Sequence, residues 1–295
     1  MAVMLEQTCW RGMRVKHPPD WEVAAASGPQ DPGRVIFADR DYHRLDLKWR
    51  PLKYVPDLDL GLEKHRRKSG DTEIQALTGA PSEWRGVLRQ TPDASIVHAG
   101  RFFKETRLLA EIVLVWPSRR NTALENEILE SVRPEPPEAP VRTWQAMGIS
   151  LTLDGQFDLH ESIAKVGRVT WQFAVAGGKG PLLTVERIAM PDYWLKDSLR
   201  DWLVKELPQG QKPFRQDAAI YNRHPGQQLI AHGKLGIASA LRGLKRVRLD
   251  LAWKCPVEGR LYRISLSQAS CDLEAALPGH FKVQCCRPAP AAVVS

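Results

Sequence analysis

Cysteine and histidine are the residues of this 295-residue chain that could bind a metal, and four of the five cysteines and four of the eight histidines lie in its C-terminal half. Cys285 and Cys286 are adjacent, and His280 lies shortly before them. Zinc ligands in a sequence usually come in pairs spaced C-x₂₋₄-C or H-x₃₋₅-H, and neither spacing occurs here. Adjacent side chains of an extended segment point to opposite sides. The sequence therefore predicts buried thiols, no metal and no cofactor; the other histidines of this half are His160, His224 and His232.

Nucleophilic catalysis needs a serine or cysteine beside a base, and no G-x-S-x-G elbow is present. The glycine-rich segment AGGKGP, from Ala176 to Pro181, lacks the spacing of a phosphate-binding loop and is interpreted as a hairpin turn. The polar groups around His43 and His160 are interpreted in the same way. We therefore predict no catalytic residue, and the sequence favours a protein that is not an enzyme.

A basic segment, RGLKRVRLDLAWK, is the most unusual feature of the second half. Val247, Leu249, Leu251 and Trp253 alternate in it, so they should face a core, with the basic residues on the opposite face. A solvent-facing sheet of this kind would attract phosphates or an acidic protein surface. The candidate binding patch consists of Arg242, Lys245, Arg246, Arg248, Arg260 and Arg263.

Charge is distributed unevenly along the chain. Residues 1–140 contain 21 Lys and Arg against 21 Asp and Glu, whereas residues 141–295 contain 21 against 13 and hold the whole net charge of +8. No apolar run is long enough to span a bilayer, and the N-terminus does not resemble a secretory signal. The five cysteines also show no pattern of a disulfide framework. These observations together predict a cytoplasmic protein without membrane contact.

The elements that must position these residues occur twice. GRVIF from Gly33 is matched by GRVTW from Gly167, and RLDLKWRPL from Arg44 is matched by LLTVERIAM from Leu182. Near the ends, LLAEIVLVWP from Leu108 is matched by LYRISLSQAS from Leu261. We interpret the chain as two diverged copies of one module, 1–139 and 140–295, joined by the proline-rich RPEPPEAP.

The sequence of each copy predicts short strands and two helices. Alternation predicts strands near Met13–His17, Arg34–Ala38 and Arg44–Trp49. Helices are predicted from Asp57 to Ser69 and after Asn121, an N-cap residue. In the second copy WLKDSLRDWLVKEL carries Leu195, Leu199, Trp202 and Leu203 on one helical face. The predicted fold class is α+β, with two copies of an antiparallel β-sheet flanked by helices.

Both copies resemble the PsbP-like superfamily in outline, the first more closely and the second as a diverged copy; this superfamily includes PsbP, DcrB and the Eag chaperones. The resemblance rests on VKHPPDWEV from Val15, on the P-D-L that opens the first helix, and on EILESVR from Glu127. The second copy has TLDGQFDL in place of the Pro-Trp turn. The resemblance implies an α/β sandwich, and it implies non-catalytic binding.

These observations lead to one functional prediction and two alternatives. We predict a non-enzymatic protein-binding, adaptor or chaperone-like protein, in which the two modules form a monomeric pseudo-dimer that binds a protein partner. The first alternative is binding of a polyanion or nucleic acid through the basic second module. The second is an enzyme with a site between the modules.

Overall fold

The computed structural model describes residues 4–69, 74–136, 138–175, 177, 180–235, 244–270 and 279–286, with the backbone alone for 64–69. The chain divides into two compact units, Met1–Met147 and Gly148–Ser295. The sequence places the boundary slightly earlier, at 139/140. Arg133 and Pro134 of the proline-rich segment pair with Arg14 and Met13, so the start of this segment belongs to a sheet of the first unit.

The first unit contains eleven described strands and two helices. In chain order they are β1 (Glu6–Trp10), β2 (Met13–His17), β3 (Glu22–Ala26), β4 (Gly33–Ala38), β5 (His43–Pro51), α1 (Leu58–Ser69), β6 (Ile74–Ala76), β7 (Arg85–Gln90), β8 (Ser95–Phe103), β9 (Leu108–Trp116), α2 (Thr122–Ser131), β10 (Arg133–Pro134) and β11 (Val141–Ala146). Seven of the strands form an antiparallel sheet in the order β3-β4-β5-β9-β8-β7-β6. The strands β10, β2, β1 and β11 pair in a smaller sheet.

The core of the first unit lies on one face of the seven-stranded sheet. Phe37, Leu47 and Leu114 alternate with outward residues and are fully buried, as the period of two requires. The His17 ring of β2 lies 4.4 Å from the Phe37 ring, so the small sheet covers this face. The helix α2 contributes buried Ile128 and Leu129 to the same core.

The second unit contains nine described strands and two short helices. They are β12 (Ile149–Asp154), β13 (Phe157–Lys165), β14 (Arg168–Val175), β15 (Leu182–Ala189), α3 (Pro191–Trp194), α4 (Leu199–Lys205), β16 (Gln211–Tyr221), β17 (His224–Gly233), β18 (Lys245–Cys255), β19 (Arg260–Ser270) and β20 (Lys282–Gln284). Seven of the strands form an antiparallel sheet in the order β13-β14-β15-β19-β18-β17-β16, and β12 pairs with β20.

The two seven-stranded sheets have the same topology. In each, three consecutive strands are followed by a helical segment and then by four strands. These four strands lie in the sheet in the reverse of their order along the chain, so that the last one pairs with the third strand. The repeated sequence segments fall on equivalent strands: GRVIF and GRVTW on β4 and β14, RLDLKWRPL and LLTVERIAM on β5 and β15. The two sheets therefore share one strand order, and descent from a duplicated module stays a prediction.

The predicted α+β fold class is wrong. The structure is mostly β, with 56% strand and 11% helix, and the helices of the described residues are short. One reason is that the predicted helix from Trp194 to Leu207 is interrupted. Ser198 caps a new helix by accepting a hydrogen bond from the Asp201 backbone N–H at 3.1 Å, so α3 ends at Trp194 and α4 begins at Leu199.

The other reason is that the strands are longer than alternation predicts. β16 has eleven residues and none of them is buried, so it carries no apolar period from which a strand could be recognised. The described helices are all too short or too polar to span a bilayer.

Candidate functional site

The predicted basic patch begins on the surface but ends in the interior. Lys245 and Arg246, at the start of β18, are exposed. Arg248 is largely covered, and the Arg263 side chain on β19 is only 4% exposed. Arg260 donates to the Gly259 carbonyl oxygen at 3.1 Å. Arg242 lies outside the described residues.

Arg248 and Arg263 converge on one buried carboxylate, that of Asp250. Arg248 donates to it through Nε at 2.6 Å and Nη2 at 3.1 Å, and Arg263 Nε donates at 3.1 Å. The Ser265 hydroxyl also donates to Asp250 and accepts from Arg248 Nη2 at 2.8 Å. Asp250 is completely buried, so its charge is balanced by two guanidinium groups rather than by water.

Arg263 has two further carboxylate partners. Its Nη1 lies 3.0 Å from Glu206 and 3.6 Å from Glu186, and Glu186 also accepts from Arg168 at 2.6 Å. The guanidinium lies over the Trp202 ring at 5.4 Å. The residues Arg248, Asp250, Arg263, Ser265, Glu186 and Glu206 are called the buried ion network below.

The predicted exposure of this sheet face is wrong for Arg263, because α4 lies across it. Trp202 and Leu203 pack on Ile188, Leu229, Ala252 and Leu261 of the same face. The helix therefore excludes water from Arg263, which the sequence assigns to a surface patch, while Lys245 and Arg246 stay exposed. The charges of Arg248 and Arg263 are compensated by carboxylates, which leaves less of the patch free to attract a polyanion.

A second cluster brings together four residues with metal-ligating atoms. Ligand atoms of His224, Cys255, Cys285 and Cys286 all lie within 4.8 Å of one another. The distance from His224 Nε2 to Cys286 Sγ is 3.3 Å, and from Cys285 Sγ to Cys286 Sγ it is 3.9 Å. We call these four residues the Cys3His cluster.

Three parts of the fold position the Cys3His cluster. His224 follows a two-residue hairpin turn in which Asn222 and Arg223 both have positive φ, as a type I′ turn requires. In the register of β17 and β18, Gly226 lies opposite Trp253, which brings His224 level with Cys255. Cys285 and Cys286 directly follow β20, where the chain bends and no longer sends successive side chains to opposite sides.

The environment of the cluster favours sulfur as a hydrogen-bond acceptor. Asn222 Nδ2 approaches Cys285 Sγ at 3.5 Å while it donates to the Val283 carbonyl oxygen at 2.6 Å. The backbone N–H of Glu258 donates to the Cys255 sulfur. Burial raises the pKa of the Cys255 thiol to about 11, and the Cys285 sulfur beside it adds to the effect. Such a thiol is protonated at neutral pH and is not an activated nucleophile.

Sequence reasoning missed this cluster because its ligands are distant in the chain. The four described cysteines are free thiols, and Cys9 lies in the other unit. His160, His232 and His280 do not join the cluster. The usable signal was the placement of His224 at the start of one hairpin strand and Cys255 at the end of the next.

A third feature is the exposed edge formed by β16. Four strands end the two large sheets: β3 has five residues, β6 three, β13 nine and β16 eleven. Exposed Asp158, Glu161 and Lys165 give β13 a charged edge. β16 is longer and more apolar at the surface, with Phe214 56% and Ile220 78% exposed.

No protein-family model matches the sequence. No curated protein matches it either. Among solved structures, the apo structure of the immunity protein TplEi of T6SS from Pseudomonas aeruginosa is similar, with a TM-score of 0.38 and 10% identity over 93% of this chain and 90% of that chain. A likeness this low carries no statement on function.

Proposed function

We propose that this protein is a non-enzymatic binding protein, adaptor-like or chaperone-like, whose second unit receives an extended segment of a protein partner along β16. The observation that carries the proposal is the combination of length, exposure and apolar character in this edge strand. An open edge presents unpaired N–H and C=O groups that can pair with another chain. Recognition by strand addition uses these groups for affinity and alternate side chains for specificity.

The other sheet edges of the described residues support β16 as the docking strand by contrast. Short strands and charged edges are devices by which proteins avoid unwanted pairing. β3 and β6 are short, and β13 is charged along its length. In β16 the basic residues Lys212 and Arg215 and the bulge at Pro213/Arg215 lie in the first half of the strand, and the second half, Gln216–Tyr221, contains Asp217 as its one charged residue. The Gln216 side chain is bonded to Arg200 of α4, which holds the strand in place for a partner.

The partner is an extended segment with apolar side chains at alternate positions. Ala218 and Ile220 are two residues apart, so their side chains share one face of β16 and form a small apolar surface beside the open edge. A reducing compartment such as the cytoplasm agrees with the free thiols of Cys9, Cys255, Cys285 and Cys286.

The test uses a photo-crosslinking amino acid placed at Ile220 in the full chain inside cells, with Lys165 on the β13 edge as the matched position. Mass spectrometry identifies the crosslinked protein, which is then purified. Its binding should slow hydrogen exchange of β16 backbone amides and leave β13 amides unchanged, because strand addition gives new hydrogen bonds to one edge only.

A variant then separates edge binding from other modes. Ile220→Lys should weaken binding at least tenfold while the thermal melting temperature stays within a degree or two, and Lys165→Glu should leave binding unchanged. Equal protection of both edges, or undiminished binding by Ile220→Lys, would refute the docking strand. Turnover of the partner by the purified protein would refute the non-enzymatic function.

A further inference from the structure

The Cys3His cluster has the composition and the compactness of a metal centre. Three thiols and one imidazole form one of the ligand sets of structural zinc sites. Cys255 and Cys285 are buried and His224 is nearly so, with exposed fractions of 1%, 8% and 9%. We propose that His224, Cys255, Cys285 and Cys286 bind one Zn²⁺ ion, which fixes the chain after β20 to the ends of β17 and β18.

The distances between the donor atoms agree with tetrahedral coordination. Zinc lies about 2.3 Å from a thiolate sulfur and about 2.0–2.1 Å from an imidazole nitrogen, which separates two sulfurs by about 3.8 Å and a nitrogen from a sulfur by about 3.6 Å. Cys285 Sγ and Cys286 Sγ are 3.9 Å apart, and His224 Nε2 and Cys286 Sγ are 3.3 Å apart. Since the remaining distances are below 4.8 Å, shifts of no more than about 1 Å complete the tetrahedron.

The groups around the cluster also fit a zinc–thiolate centre. Binding displaces three thiol protons to solvent and leaves three thiolates and one divalent cation, a net charge of −1. N–H groups that donate to ligating sulfurs stabilise this charge. Asn222 Nδ2 already points at Cys285 Sγ, and the backbone N–H of Glu258 already points at Cys255.

The ligand set selects the metal and its role. Mg²⁺ and Ca²⁺ require oxygen ligands, whereas thiolates with imidazole favour Zn²⁺. Four protein ligands fill a tetrahedral shell and leave no position for a substrate or an activated water. The centre is therefore structural, and its task is to hold a short terminal strand that pairs with β12 through three residues.

The first experiment measures the metal of the full chain purified under reducing, oxygen-free conditions without chelator. Elemental analysis should find about one zinc per chain. Titration of the demetallated wild-type protein with Co²⁺ should give the intense d–d bands of tetrahedral cobalt and a thiolate charge-transfer band, and Zn²⁺ should abolish both. Because this titration uses the unmodified protein, it does not depend on the folding of any variant.

Substitution then assigns the ligands. Cys285→Ser should reduce the affinity for Co²⁺ at least a hundredfold and remove most of the charge-transfer band. Cys9→Ser is the matched control, because Cys9 is also a buried free thiol but lies in the first unit, and it should bind one metal with the wild-type spectrum. Removing zinc with a chelator should lower the melting temperature of the wild type and of Cys9→Ser, but not that of Cys285→Ser.

Three results would overturn the proposal. The first is a wild-type protein that has no zinc and shows no tetrahedral cobalt spectrum at neutral pH. The second is an equal loss of metal in Cys9→Ser and Cys285→Ser. The third is a disulfide among Cys255, Cys285 and Cys286 in protein taken directly from cells, detected as a loss of two hydrogens, because oxidised sulfurs cannot bind the ion.

Discussion

Removal of the Asp250 carboxylate should destabilise the second unit strongly. The side chain has 0% exposure and accepts hydrogen bonds from Arg248, Arg263 and Ser265. In Asp250→Ala these donors lose their common acceptor, and α4 keeps water from taking its place at Arg263. The Arg263 side chain is itself 4% exposed, so its positive charge stays buried.

The size of the destabilisation depends on which counter-charges Arg263 keeps after the substitution. Breaking a buried ion pair by removal of one partner costs about 3–5 kcal/mol, because the other charge is left without a counter-charge. Arg263 keeps Glu206 at 3.0 Å and Glu186 at 3.6 Å, which places the expected cost at the lower end, about 3 kcal/mol. Asp250→Asn should also destabilise the unit, because the amide has no charge to balance Arg248 and Arg263, and its N–H₂ group must face the Arg248 Nε donor.

Asp217→Ala is the matched control. Asp217 forms a salt bridge of 2.9 Å with Arg215 on β16, but its side chain is 52% exposed. An exposed pair of this kind contributes about 0–1 kcal/mol. The two variants therefore remove the same functional group from the same sheet and differ in burial.

Hydrogen exchange followed by mass spectrometry is the suitable assay, because the chain has two units and one global unfolding curve would average over them. The β18 and β19 peptides should exchange faster in Asp250→Ala by a factor of about 100, equivalent to about 3 kcal/mol. The β5 and β9 peptides of the first unit serve as an internal control, because their exchange rates should not change if the substitution affects the second unit alone. The reasoning fails if Asp250→Ala and Asp217→Ala accelerate exchange of β18 and β19 equally.

Three further predictions concern packing, backbone and pH. A Cβ atom on Gly33 would lie 2.1 Å from the buried ring of Trp49, so Gly33→Ala should cost about 1–3 kcal/mol in urea unfolding. A Cβ atom on Gly61 in α1 would meet no described atom within 4 Å apart from its own chain neighbours and helix backbone, so Gly61→Ala should gain about 0.5–1 kcal/mol. Leu203→Ala should destabilise the second unit by about 2–5 kcal/mol, because the side chain is fully buried between α4 and the sheet, and thermal melting should show it. Burial lowers the pKa of His17, so the ring stays neutral in the folded protein, whereas in the unfolded chain it takes a proton below about pH 6.5. The free energy of unfolding should therefore fall as the pH drops from 7 to 5. Replacing His17 with Gln should remove that part of the pH dependence.

Sequence reasoning succeeded where a structural cause lies in neighbouring residues. The helix expected after Asn121 is confirmed as α2, and the Asn121 side chain accepts a hydrogen bond from the Leu124 backbone N–H at 3.1 Å. The strands expected at Arg34–Ala38 and Arg44–Trp49 are confirmed as β4 and β5, because one face of each strand is buried in a single core.

Sequence reasoning failed where contacts between residues far apart in the chain determine the structure. The alternation of Arg246, Arg248 and Asp250 shows that they share a face, but not that a helix fifty residues earlier covers it. Likewise, the spacing of His224, Cys255 and Cys285 carries no local signal, since hairpin register and a bend after β20 bring them together. In both cases the number of residues between partners says nothing about the distance between their side chains.

The outer faces of the two large sheets show where the units have diverged. In the first unit a cavity of about 450 Å³ lies under α1, lined by Lys48, His98 and Glu111. The corresponding face of the second unit is filled by Trp202 and the buried ion network. Among the described side chains, this face therefore has a cavity in the first unit and is closely packed in the second. α4 and the buried ion network cover this face of the second unit, which leaves the β16 edge as the surface that we propose binds a partner.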